Sequence, residues 1–163
     1  MPISSSDIQY RLSGGAANAN ANASLGGAKS ATVMSSAVFD DVVSSEAAVG
    51  DNEYRCVYVH NAHATLTLLS AVVWISSNTT GNRLHIGLGS SAVNGTEQTV
   101  ADENTAPVGG VAFTQPSSKG AGLAIGDIPA GQHKAIWLKR SIPAGAGGGT
   151  DAFTFRVEGD TLP

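Results

Sequence analysis

His60 and His63 stand at H-x-x-H spacing with Cys56 four positions upstream, the residue types that hold zinc. A zinc site needs about four N, S or O ligands, one of them left open for catalysis, and no second close pair follows. Asp40-Asp41 and Asp51-Asn52-Glu53 offer oxygens to calcium. Neither has the spaced D-x-D-x-D-G loop that wraps the ion, so both read as turn residues and strand-entry charges. Nucleophilic catalysis finds no G-x-S-x-G elbow. The single cysteine lies inside a strand pattern instead of at a helix start that favours a thiolate, and reads as a small buried hydrophobe. Paired carboxylates for glycoside cleavage would be paired in space, not in sequence; the 13 acidic residues fall mostly in turns and loops. Gly120–Gly126 lacks the strand before and helix after that a dinucleotide loop requires. Trp74 and Trp137 suit a sugar-binding surface or, in alternating strands, a core. The expectation is a protein with no catalytic residues, no metal and no cofactor.

The elements that would carry such residues are strands. The stretch Glu53–Ser77 holds two runs rich in β-branched and aromatic residues around the break 60–64. Tyr54, Cys56 and Tyr58 alternate with Arg55, Val57 and Val59, which is the period of a pleated surface. This predicts a central antiparallel hairpin with Asn61 in its turn. Further strands are expected at 7–12, 37–43, 83–89 (Leu84, Ile86 and Leu88 on one face), 123–128, 133–142 and 151–160, with Phe153, Phe155 and Val157 alternating in the last. Residues 44–52 read as a turn-rich connector and 90–120 as a long loop with at most one or two short strands. Short strands joined by Gly, Pro and Asn turns, with no convincing helix, predict an all-β antiparallel β-sandwich, immunoglobulin-like or jelly-roll.

Residues 13–36 differ in kind. Lys29 is their only charge, and Gly14-Gly15 and Gly26-Gly27 bracket an Ala-Asn alternation. The stretch reads either as a linker or as an extended N-terminal arm that orders on a neighbouring subunit, anchored by Tyr10, Leu25 and, further along, Met34. An arm of about 24 residues would reach on the order of 70–85 Å at full stretch. The domain expectation is therefore a strand and arm over 1–36 and a sandwich over 37–163.

Charged residues are only 13% of the 163, with net charge −4 and Lys139-Arg140 the only adjacent basic pair. Nucleic acid demands a clustered basic footprint, so it is not an expected partner. No apolar run approaches about 18 residues and no basic-then-apolar leader opens the chain; the expectation is a protein made in the cytoplasm with no membrane partner.

Several strings, taken together, resemble small structural proteins of tailed bacteriophages: IQYRLSGGAANANANASLGG, EYRCVYVHN with AVVWI, IGLGSSAVNGTEQTVADENTAP, and GDIPAGQHKAIWLKRSIPAGA followed by FTFRVEGDT. They span nearly the whole chain, and none is a chemical signature. The resemblance implies a non-enzymatic virion component. The expected role is a capsid decoration or cement protein, partnered by the major capsid protein or other virion proteins and by copies of itself, a trimer being favoured. A tail, baseplate or fibre-attachment subunit is the alternative, and a host-glycan-binding module through Trp74 or Trp137 the third.

Overall fold

The computed structural model describes residues 2–79 and 81–162 and has nine strands among them; Thr80 lies outside, within the stretch Asn78-Thr79-Thr80-Gly81-Asn82 whose composition predicts a turn. The strands are β1 (Ile8–Leu12), β2 (Gly26–Gly27), β3 (Asp51–Asn61), β4 (Leu68–Ser77), β5 (Leu84–Leu88), β6 (Glu97–Thr99), β7 (Leu123–Ile128), β8 (His133–Ile142) and β9 (Thr154–Asp160). One sheet has the order β1-β3-β8-β5 and a second the order β7-β4-β9, while β2 pairs with β6; every pairing is antiparallel. The molecule is an all-β sandwich.

The main core lies between the two large sheets. Val57 and Val59 of β3, with Ile136 and Leu138 of β8, meet Val73, Ile75 and Phe155 from the facing sheet. The other face of the four-stranded sheet is buried as well. Tyr54, Cys56, Tyr58, Ala135 and Trp137 form a second cluster beneath Leu25, Val100, Val111 and Phe113. Covering both faces explains why seven consecutive residues of β3, Glu53 to Val59, are buried, as in a central strand enclosed on both sides.

Three expectations need correction. The Glu53–Ser77 stretch is no hairpin: β3 and β4 belong to different sheets, and residues 62–67 arch across the sandwich. Asn61 acts by its buried side chain, whose Nδ2 donates to Leu66 O (2.8 Å) and Ile128 O (2.9 Å), tying the arch to β7. Residues 37–43 make no strand, only an isolated bridge between Val42 and Gly149. The connector after them holds one short helix, α1 (Ser44–Val49), whose Glu46 carboxylate accepts the Val43 N–H at 2.9 Å; six residues are too few to show a helical period.

The fourth correction concerns the arm. Residues 13–36 fold back on their own body, so a boundary at 36 separates nothing. They carry on along the β3 edge where β1 ends: Cys56 N–H donates to Ser24 O (2.7 Å) and Ser13 Oγ donates to Cys56 O (2.8 Å). The Ala-Asn alternation is a ladder of side-chain turns. Asn18 Oδ1 accepts from Asn20 N–H (2.9 Å) and Asn20 Oδ1 from Asn22 N–H (3.0 Å), each Asn capping the amide two residues on. One glycine of each pair expected to hinge the arm, Gly14 and Gly26, is a close approach to backbone. Gly26 has φ +98°, and a Cβ there would stand 1.8 Å from Gln98 O, so only glycine lets β2 lie against β6.

Candidate functional site

The densest gathering of ionisable groups sits at one end of the sandwich and grows from the register. Glu53 and Arg140 are cross-strand partners of β3 and β8, and Arg55 lies two residues along on the same face. The Arg140 Nε–H donates to Glu53 Oε2, and Arg55 Nη2 donates to Glu103 Oε2 and to Asn22 Oδ1 (3.2 Å). Asp40 lies 3.6 Å from Arg140 and 4.0 Å from Arg55. Asp151 adds a pair with Arg83 (3.2 Å) and a longer one with Arg140 (3.9 Å). The Phe39 ring packs against both guanidiniums, 5.4 Å from Arg55 and 5.0 Å from Arg140, a cation–π contact.

Carboxylate oxygens of Asp40, Glu53 and Glu103 lie within 4.8 Å of one another, a grouping with metal-ligand potential. The neighbours do not fit a cation. The buried Arg55 Nε and Arg140 Nη2 lack hydrogen-bond partners, as does Glu53 Oε1, but the two fixed guanidinium charges beside these carboxylates already balance them and would repel a further cation. The Glu53 side chain is 1% exposed. Its burial raises the carboxyl pKa, while the hydrogen bond and charge of Arg140 pull the other way. Chemically the arrangement is a clamp. It holds the segments carrying Asn22, Phe39-Asp40, Glu103 and Asp151 against two central strands, since breaking one member leaves an uncompensated buried charge.

A second knot binds the covering layer to β3. The Tyr58 hydroxyl donates to Gly27 O (2.6 Å) and accepts from Glu97 N–H (2.9 Å). Burial pushes the Tyr58 pKa up to about 12. Glu97 is buried, which favours its neutral form. Hydrogen bonds from Ser91 N–H (2.9 Å), Ser90 Oγ (2.9 Å) and Gln98 outweigh that burial and bring its pKa down to about 2.

The residues singled out in the sequence fall elsewhere. Burial pushes the Cys56 thiol pKa far up, leaving an unreactive side chain. Among the described residues, His60, His63 and Cys56 do not gather into a metal-ligating group; His60 instead stands opposite His133 in the β3–β8 register. Trp137 is fully buried and Trp74 is 7% exposed, so neither presents a ring face for a sugar. Tyr10 and Met34 pack on the main core and Leu25 on the second cluster. These three expected anchors on a neighbour are spent within the chain. Asp40 and Glu53, each read as a turn or entry charge, do converge. Arg55 and Arg140 were missed, although a charged residue at an apolar position of an alternating strand was the available signal; Glu103 and Asp151, on loops, left none.

No helix among the described residues is long and apolar enough to cross a membrane. No family model, curated protein or solved structure matches the chain.

Proposed function

We propose that the protein is a non-enzymatic structural component of a tailed-bacteriophage particle, in the role of a capsid decoration or cement protein. The observation that carries the reading is where the polar groups go. Buried Arg55 and Arg140 fasten the loops carrying Glu103 and Asp40 onto the four-stranded sheet, Glu53 holds Arg140, and buried Glu97 ties Ser90, Ser91 and Gln98 together above it. A body stapled in this way by its own side chains suits a particle subunit that must outlast its host cell unaided. The resemblance of strings along nearly the whole chain to virion structural proteins supports the same assignment.

The fold-back of 13–36 changes how such a subunit would adhere. It would dock as a preformed body, through its surface and exposed strand edges, and not by a trailing arm. Major capsid protein and copies of itself are the partners proposed, in the virion as assembled in the host cytoplasm. Quantitative mass spectrometry of separated heads and tails tests this. Copy numbers in heads comparable to the major capsid protein are expected. Recovery in tails at tens of copies or fewer would move the protein to the tail, and absence from both would refute the proposal.

A further inference from the structure

The β9 strand ends its sheet, and among the described residues no backbone hydrogen bond runs from its outer edge to another segment. An unpaired edge is a template for another strand. A shallow groove of about 270 Å³ runs beside it, lined by Ser5, Ile8, Tyr10, Arg156, Val157 and Glu158. Among the described residues a side-chain hydrogen bond reaches this edge: Val157 N–H donates to the Tyr10 hydroxyl at 3.1 Å, with the Tyr10 ring edge-on to Phe155 at 4.9 Å. That bond also fixes the strand's orientation. The Val157 backbone points outward, and by the alternation of an antiparallel strand so do Phe155 and Gly159.

We propose that the β9 edge is a self-association surface that takes the β9 of a second copy in antiparallel register centred on Val157, and that the Tyr10 hydroxyl is the latch holding it shut. Charge selects both occupant and register. Arg156 and Glu158 are exposed on the outer face of β9, Glu158 also lying 3.4 Å from Lys119. A two-fold axis at Val157 sets Arg156 against Glu158 of the partner subunit, and Glu158 against Arg156 of the partner subunit. Thr154 then faces Asp160 of the partner subunit. Moving the axis one residue either way sets Arg156 or Glu158 against its own copy, and like charges directly opposite are destabilising. The two-fold closes on itself, giving a dimer and not a fibre. One strand pair is a small interface, so association in solution is weak and becomes effective where many copies are held side by side.

The proposal deepens the reading of a self-adhering particle subunit and rests on it only for its biological role; pairing in solution stands or falls alone. Sedimentation equilibrium of the full chain, wild type against Tyr10→Phe, is the test, with thermal melts confirming that both are folded. Losing one hydroxyl contact per copy should tighten dimerisation by roughly 5- to 100-fold. Arg156→Glu and Glu158→Arg, both on the exposed face, should each abolish homodimers in the Tyr10→Phe background, whereas an equimolar mixture of the two should form heterodimers. A Tyr10→Phe protein no more associated than wild type overturns the latch. Association indifferent to the charge reversals, or a mixture that fails to pair, overturns the β9 register.

Discussion

Replacing Tyr58 by Phe removes a single oxygen that joins three strands, β3, β2 and β6. The hydroxyl is the acceptor for Glu97 N–H at 2.9 Å and the donor to Gly27 O at 2.6 Å, on a residue with no solvent exposure. Phe keeps the ring in the second cluster and strands one buried N–H and one half-buried C=O. Each such loss costs about 1–3 kcal/mol. Because both groups belong to one knot and partial relaxation is shared, the sum should come to roughly 2–4 kcal/mol, a large share of the roughly 5–15 kcal/mol typical of a domain. Urea denaturation should show that loss at unchanged m, and Tm should fall by about 5–15 °C. Limited proteolysis should newly cleave the variant between Gly14 and Gly27. A variant within about 0.5 kcal/mol of wild type, still resistant to protease, would refute the reasoning that this knot fastens the covering layer.

Arg140→Met should destabilise by roughly 3–5 kcal/mol by leaving Glu53 buried and uncompensated, and Arg140→Met with Glu53→Gln should recover a good part of it; both are read by denaturant melts. Gly26→Ala should separate β2 from β6, seen as faster amide exchange at Val100, whose N–H donates to Leu25 O at 2.9 Å. Acid should weaken the fold in two steps. His60, His85 and His133 have pKa values lowered chiefly by burial, so the unfolded chain binds more protons and stability falls as pH drops below about 6.5. Glu97, held near 2, adds stability that is present above about 4.5 and lost on the way down to 2; Glu97→Gln should erase that second step in a pH series of thermal melts. Deleting residues 13–36 should expose the Tyr54–Cys56–Tyr58 face and give a protein that binds a hydrophobic dye or fails to fold.

The strands with clean alternation were legible because one property, which face a side chain takes, sets their pattern: β5, β8 and β9 fall where Leu84, Ile86, Ile136, Leu138, Phe155 and Val157 place them. What the pattern lacks is the partner. Nothing local distinguishes the arch after β3 from a hairpin, since the choice rests on Asn61 reaching Ile128, 67 residues away. The 13–36 stretch misleads for a related reason: its few large apolar side chains carry little of its fixing, much of which comes from Asn and Ser bonding to backbone. Low hydrophobicity then looks like freedom. The clamp was half visible, as two arginines on the core-facing parity of their strands, while Asp40, Glu103 and Asp151 reach it on loops whose course no periodicity records.

Hydrogen exchange of the free full-length protein, read amide by amide across residues 13–36, tests most directly whether this is a preformed body that adheres by its surface. Slow exchange at Gly15, Ser30 and Met34, whose N–H groups donate to Ala28 O, Leu12 O and Tyr10 O at 2.9, 2.8 and 2.7 Å, is the result expected. Complete exchange there within the dead time, with β3 and β8 still protected, would contradict it and return the segment to the status of an arm waiting for a partner.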